Sequence, residues 1–133
     1  MALTAGRNTP KIDGDILVLP VKANVKIFEG SLVVLDAGYA KPGVEATGLI
    51  AVGRAEEFAD NTGGQDGDIT VKVRRGCFKF ENDVTDPVTQ THVLTDCYIV
   101  DDETVSSSDN TGTRSKAGKV IAVESDGVWV EIK

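Results

Sequence analysis

Residues 49–81 read LIAVGRAEEFADNTGGQDGDITVKVRRGCFKFE, and this stretch decides the fold class. An apolar run ends at Gly53, and a polar, glycine-rich loop follows through Asp60-Asn61-Thr62-Gly63-Gly64. A two-residue alternation then begins at Ile69. Ile69, Val71 and Val73 take one face and Thr70, Lys72 and Arg74 the other, as expected of a half-buried strand, whose successive side chains point to opposite faces of its sheet. The parity then changes. Phe78 and Phe80 continue the apolar face only if an extra residue is inserted near Arg75-Gly76, and glycine there predicts a β-bulge or a sharp bend. The chain reads as strongly β, with a kinked central strand and a wide loop.

Short strands extend outward on both sides. Ile16-Leu17-Val18-Leu19 is a strand stopped by Pro20, which cannot donate into a central ladder. Val21, Ala23, Val25 and Ile27 alternate with polar residues and predict a second strand or a continuation after a kink. Glu29-Gly30 predicts a turn, residues 31–35 a buried strand and Asp36-Ala37-Gly38 another turn, after which residues 39–43 lead into a loop. Downstream, residues 49–56 resume the sheet, and the polar loop to Asp68 is placed on the surface. Residues 88–94 fit one helical turn or an irregular connection. Residues 97–100 form a short strand, and residues 106–113, SSSDNTGT, a flexible surface loop. Residues 119–124 and 128–132 form the clearest hairpin, with the turn at Asp126-Gly127, since both residue types tolerate positive φ. Val128, Val130 and Ile132 share one face, opposite Trp129 and Glu131.

No helix of conventional length is evident. The expected fold is all-β, a small single-domain barrel or sandwich of short antiparallel strands with long loops. Residues 1–14 lack an apolar period and form an extended N-terminal arm, and residues 15–133 form the β domain. A chain of 133 residues can bury a core without disulfides. Its net charge of −7 argues against a nucleic-acid partner, which would demand a basic face. No apolar run approaches the roughly 20 residues needed to span a bilayer. Residues 1–15 carry no apolar signal-peptide region, so synthesis in a cytoplasm without the usual export is expected. Cys77 and Cys97 are expected to be reduced, structural thiols, small buried hydrophobes in or beside strands. A bridge between them requires their strands to pair.

Chemical equipment is sparse. His92 is the only histidine, and no CxxC or HxxxH spacing, nucleophile elbow, P-loop or dinucleotide fingerprint occurs. No cofactor or metal is therefore expected. Asp60, Asn61, Asp66 and Asp68 offer oxygens at short spacing but lack the closing bidentate glutamate of a calcium loop, and read as a solvated turn. Asp101-Asp102-Glu103 reads as an acidic turn, because neighbours on a strand diverge. Lys72, Arg74, Arg75 and Lys79 make a basic stripe beside the kink, suited to carboxylates of a neighbouring subunit or partner.

The order of blocks, LTAGRNTPKIDGDILVLPV, FEGSLVVLDAGYAKPG, VGRAEEFADNTGGQDGDITVKVRRGCFKFEN, CYIVDDETVSSS and AGKVIAVESDGVWVEI, resembles the capsid cement (head decoration) proteins of tailed bacteriophages. The resemblance covers most of the chain. It implies a protein without enzymatic activity that sits on the exterior of the virion capsid and bridges major capsid proteins. It also implies a homo-oligomer, a trimer first among the options. The expected partner contacts are Arg7, Asn8 and Thr9 in the arm and Lys72, Arg74 and Arg75 at the kink, with Arg7 meeting a carboxylate of an adjacent capsomer. Two other readings stand beside it. A carbohydrate- or receptor-binding β module would show exposed aromatics beyond Tyr39, Tyr98 and Trp129. A small metal-dependent nucleotide hydrolase would hold magnesium on acidic residues.

Overall fold

The computed structural model describes residues 2, 4–7 and 14–133. Twelve strands run in chain order: β1 (Ile16–Pro20), β2 (Lys26–Ile27), β3 (Leu32–Asp36), β4 (Tyr39–Pro42), β5 (Ile50–Ala55), β6 (Ala59–Asp60), β7 (Thr70–Arg74), β8 (Gly76–Asn82), β9 (Asp96–Ile99), β10 (Thr104–Ser106), β11 (Lys116–Glu124) and β12 (Gly127–Ile132). A 3-10 turn at Gln90–His92 is the helical element among the described residues. The fold is all-β. One sheet has the order β1-β7-β5-β3-β4, and a small closed barrel has the order β10-β8-β12-β11-β9. Strands β2 and β6 pair by themselves. The ladders are antiparallel except β10 on β8.

The parity change near Arg75-Gly76 marks a change of sheet. β7 pairs with β1 and β5, whereas β8, one residue later, pairs with β12 and β10. The expected insertion is therefore a bend rather than a bulge within one ladder, and Gly76 supplies it with a φ of 148°. The two apolar sets also face different cores. Val71 and Val73 lie in a cluster with Val21, Ile27, Val33, Ala40, Val52, Ala55 and Ala59. Phe80, with Phe78 packed against it, lies in a second cluster with Val105, Val120, Val128, Val130 and Ile132.

Strand β3 joins the two cores. Its alternation sends Leu32 and Val34 into the barrel core and Val33 into the other, all with no accessible surface. The sheet is thus apolar on both faces here, which is why LVVL reads as a continuous run. Each such side chain contributes about 1.5–3 kcal/mol of transfer free energy.

Several local expectations are corrected. Residues 39–42, expected to lead into a loop, form β4. The turn before it places Ala37 and Gly38 at φ 51° and 91°, with Asp36 facing Tyr39, the geometry favoured for a two-residue hairpin. The alternation at residues 21–27 yields only a bridge from Val21 to Ala40 and the two-residue β2, because Asn24 turns the chain at φ 58°. The loop before Asp68 is not wholly superficial. Asn61 is buried, and its Nδ2 donates to the carbonyls of Val21, Lys22 and Gln65.

The C-terminal hairpin turns at Ser125-Asp126, with Glu124 facing Gly127. Positive φ is not the reason for glycine there. A Cβ on Gly127 would meet Lys79 Cγ at 2.7 Å and the Phe80 carbonyl at 2.8 Å. Cys97 is buried as expected, but Cys77 is exposed, and both are free thiols. Their strands, β8 and β9, are not neighbours in the barrel.

Candidate interaction face

Of the expected contact residues, Asn8 and Thr9 lie outside the described residues. Arg7 is exposed and outside any strand. Lys72 and Arg74 do come together. In the β1–β7 ladder Ile16 faces Arg74 and Val18 faces Lys72, and in the β5–β7 ladder Arg54 faces Arg74. Cross-strand partners share a face of the sheet, so Ile16, Arg74 and Arg54 make one row and Val18 and Lys72 the next. This face lies opposite the core that takes Val71 and Val73. Val18 is 59% exposed.

Glu56 organises the cations. Its Oε1 accepts a hydrogen bond from Arg54 Nη2 at 2.7 Å and lies 3.4 Å from Arg74 Nε. The hydrogen bond from Arg54 lowers the Glu56 carboxyl below its usual range, with both guanidinium charges adding to the effect and partial burial opposing it. The Arg54 guanidinium also lies over the Phe78 ring, 4.6 Å from its centroid. Arg54 is thereby held between a carboxylate and a ring on the neighbouring strand system. Lys72 makes no ion pair among the described residues, and its backbone N–H donates to Glu57 Oε1 at 3.1 Å.

Two members of the basic stripe go elsewhere. Arg75 sits at the bend, where its N–H donates to the Asp15 carbonyl at 2.7 Å, and it lines a separate cleft with Gly14, Cys77 and Ile132. Lys79 belongs to the barrel, pairs with Asp126 at 2.9 Å and lies 5.9 Å from the Trp129 ring centroid. Arg54 and Glu56 are members of the face that the reading of the stripe missed. Their signal was GRAEE, a charge alternation carried on from an apolar strand.

The other groups weighed for chemistry serve local structure. His92 Nδ1 accepts the Thr89 N–H at 2.9 Å inside the 3-10 turn. Asp60 Oδ1 accepts from the Thr62 N–H and Asp68 Oδ2 from the Gln65 N–H, each closing its own loop, while Asp66 Oδ1 accepts from the Ala23 N–H and ties the loop to the segment after β1. Asp101 Oδ1 accepts from the Glu103 N–H in the same manner. Among the described residues no three His, Cys, Asp or Glu side chains gather as a metal site. Burial pushes the Cys97 thiol up to about 12. The 106–113 loop, expected to be flexible, is tied down instead. Asp86 accepts from the Ser107 and Ser108 hydroxyls, and Arg114 pairs with both Asp86, at 3.2 Å, and Glu45, at 2.8 Å.

No protein-family model, curated protein or solved structure matches the chain.

Proposed function

We propose that this protein is a non-enzymatic decoration protein of a tailed-bacteriophage capsid, bound to the outside of the assembled head and bridging major capsid proteins. The observation that carries the proposal is the mixed face on β1, β7 and β5. It combines the exposed aliphatic side chains of Ile16 and Val18 with Lys72, Arg74 and Arg54, in a chain whose net charge is −7. Such a face suits a partner that presents carboxylates among apolar groups, since complementary charge favours the right register and the aliphatic side chains exclude water. It begins at Ile16, directly after the arm, so arm and face can engage one neighbour together. The block order along the chain supports the same reading. The partners are the major capsid protein and further copies of this chain, three around an axis as the resemblance implies, at the virion exterior.

The test is co-sedimentation with expanded heads assembled from the major capsid protein of the genome that carries this gene, and a genome that encodes none overturns the proposal. The wild-type chain is expected to pellet with the heads and to raise their resistance to heat. A chain that stays in the supernatant at all protein concentrations overturns the proposal.

A further inference from the structure

A second surface lies on the ribbon of β2 and β6. Phe28 and Phe58 flank the two-stranded ribbon of β2 and β6, where Ile27 faces Ala59, and are the next residues outward on each chain. Their rings lie 5.3 Å apart at an interplanar angle of 39°. Both are more than half exposed, at 58% and 53%. A core pair would be covered. Two large rings tilted against each other at the surface form a pre-built apolar contact of the kind that interaction sites use.

The neighbouring charges specify what would cover them. Phe28 precedes Glu29, and Phe58 follows Glu57, so each ring has a carboxylate beside it in the chain. Both glutamates are exposed, and neither has an ion pair among the described residues. The other nearby carboxylates are engaged: Glu56 by Arg54 and Arg74, and Asp60 by the Thr62 hydroxyl and N–H, with Lys26 close enough to act on its charge. Glu57 uses one oxygen to accept the backbone N–H of Lys72, a donor that carries no charge. Ring faces are negative in their quadrupole and attract cations, and two unpaired carboxylates add to that field.

We propose that Phe28 and Phe58, with Glu29 and Glu57 next to them in the chain, are a docking platform for a basic segment of a partner protein. The partner lays an arginine or lysine over the rings, within reach of the carboxylates, and covers the remaining ring surface with an adjacent aliphatic side chain. The ribbon adjoins the β1–β7–β5 face through the hydrogen bond from the Lys72 N–H to Glu57, but peptide binding and head binding are read separately, so either proposal can fail without the other.

The experiment is an NMR titration of the full chain, following the ring signals of Phe28 and Phe58 and the amides of Glu29 and Glu57. The probes are a capped Gly-Leu-Arg-Leu-Gly peptide and its norleucine counterpart. Saturable shifts are expected at these four residues, with the norleucine peptide weaker by about two- to five-fold. Added salt and Glu29→Gln with Glu57→Gln should weaken only the arginine peptide, and Phe28→Ala with Phe58→Ala should abolish the shifts. If the phenylalanine variant unfolds, the charge reversals Glu29→Lys and Glu57→Lys carry the test. Equal affinity for both peptides, or no shift at millimolar peptide, overturns the proposal. So do ring shifts that grow with protein concentration alone, which would mark contact with a second copy, or shifts produced by a neutral oligosaccharide and not by the peptide.

Discussion

Gly53 of β5 lies directly against the backbone carbonyl of Arg74, closer than any side chain could permit. The contact sits where the β3–β5 register shifts, Val33 facing Gly53 and Val34 facing Ala51, and one residue before the chain bends out of β7 toward the barrel. Replacing Gly53 by Ala should therefore force the two strands apart and destabilise the fold by about 1–3 kcal/mol. Gly14→Ala, which meets nothing within 4 Å, is the control and should melt with the wild type. Thermal denaturation followed by circular dichroism compares them. Equal melting temperatures would show that β5 can shift without cost.

Head binding should depend on the mixed face. Val18→Asp and Arg74→Glu place repulsive charge where an acidic partner would approach. Both side chains lie away from the cores, so Val18→Asp should melt close to wild type, while Arg74→Glu, which loses the Glu56 pair, should melt a few degrees lower. Each variant should co-sediment with expanded heads more weakly than the wild type, and the Arg74→Glu defect should grow as salt is lowered. Unchanged binding by both would move the contact off this face. Deleting residues 1–12 asks the same of the arm, with retained stability and weakened binding as the expected pair of results.

The 106–113 loop should loosen in acid. Hydrogen bonds from the Ser107 and Ser108 hydroxyls, followed by the charge of Arg114, lower the Asp86 carboxyl. Thr113, Asn110 and then Arg114 do the same for Glu45. A carboxylate lowered by folding contributes stability that is complete above its unfolded value, near 3.8 for aspartate, and is lost as pH falls through the lower folded value. Protection factors of the loop amides, taken after correction for the intrinsic pH dependence of exchange, should thus be high at neutral pH and fall once the pH drops below roughly 4. Asp86→Asn should already exchange faster at neutral pH and respond less to acid. Protection that persists in the wild type far below that pH would remove Asp86 and Glu45 as its source.

Thiol labelling should distinguish the two cysteines. Cys77 is exposed on β8, although partial burial and the nearby Glu131 charge raise its pKa, whereas Cys97 is buried and its thiol is pushed up to about 12. A thiol-reactive disulfide reagent at mildly alkaline pH should modify Cys77 in the native protein and reach Cys97 only in denaturant, because the thiolate is the attacking species. Rapid native labelling of Cys97 would mean that the β9–β11 wall opens readily.

Much of the local structure was legible because strand periodicity is a property of the backbone itself. Alternation at residues 69–74 and 128–132, the bend at Gly76 and the turns at Gly30 and Gly38 all depend on residues within a few positions of one another. Chain topology decided the rest. That Val73 and Phe80 belong to different cores follows from β7 and β8 pairing with different strands, which no local pattern encodes. Arg54 and Glu56 join Lys72 and Arg74 only because β5 lies beside β7. Phe28 meets Phe58 across a ribbon whose strands are two residues long, below the length at which alternation can be recognised. Arg114 finds Glu45 69 residues away. The sequence alone determined where strands such as β7 and β12 run and which way their side chains alternate, since both follow from the pleat of an extended backbone. The tertiary structure decided which faces meet and which rings and charges remain uncovered, since those depend on closing long loops around two shared cores.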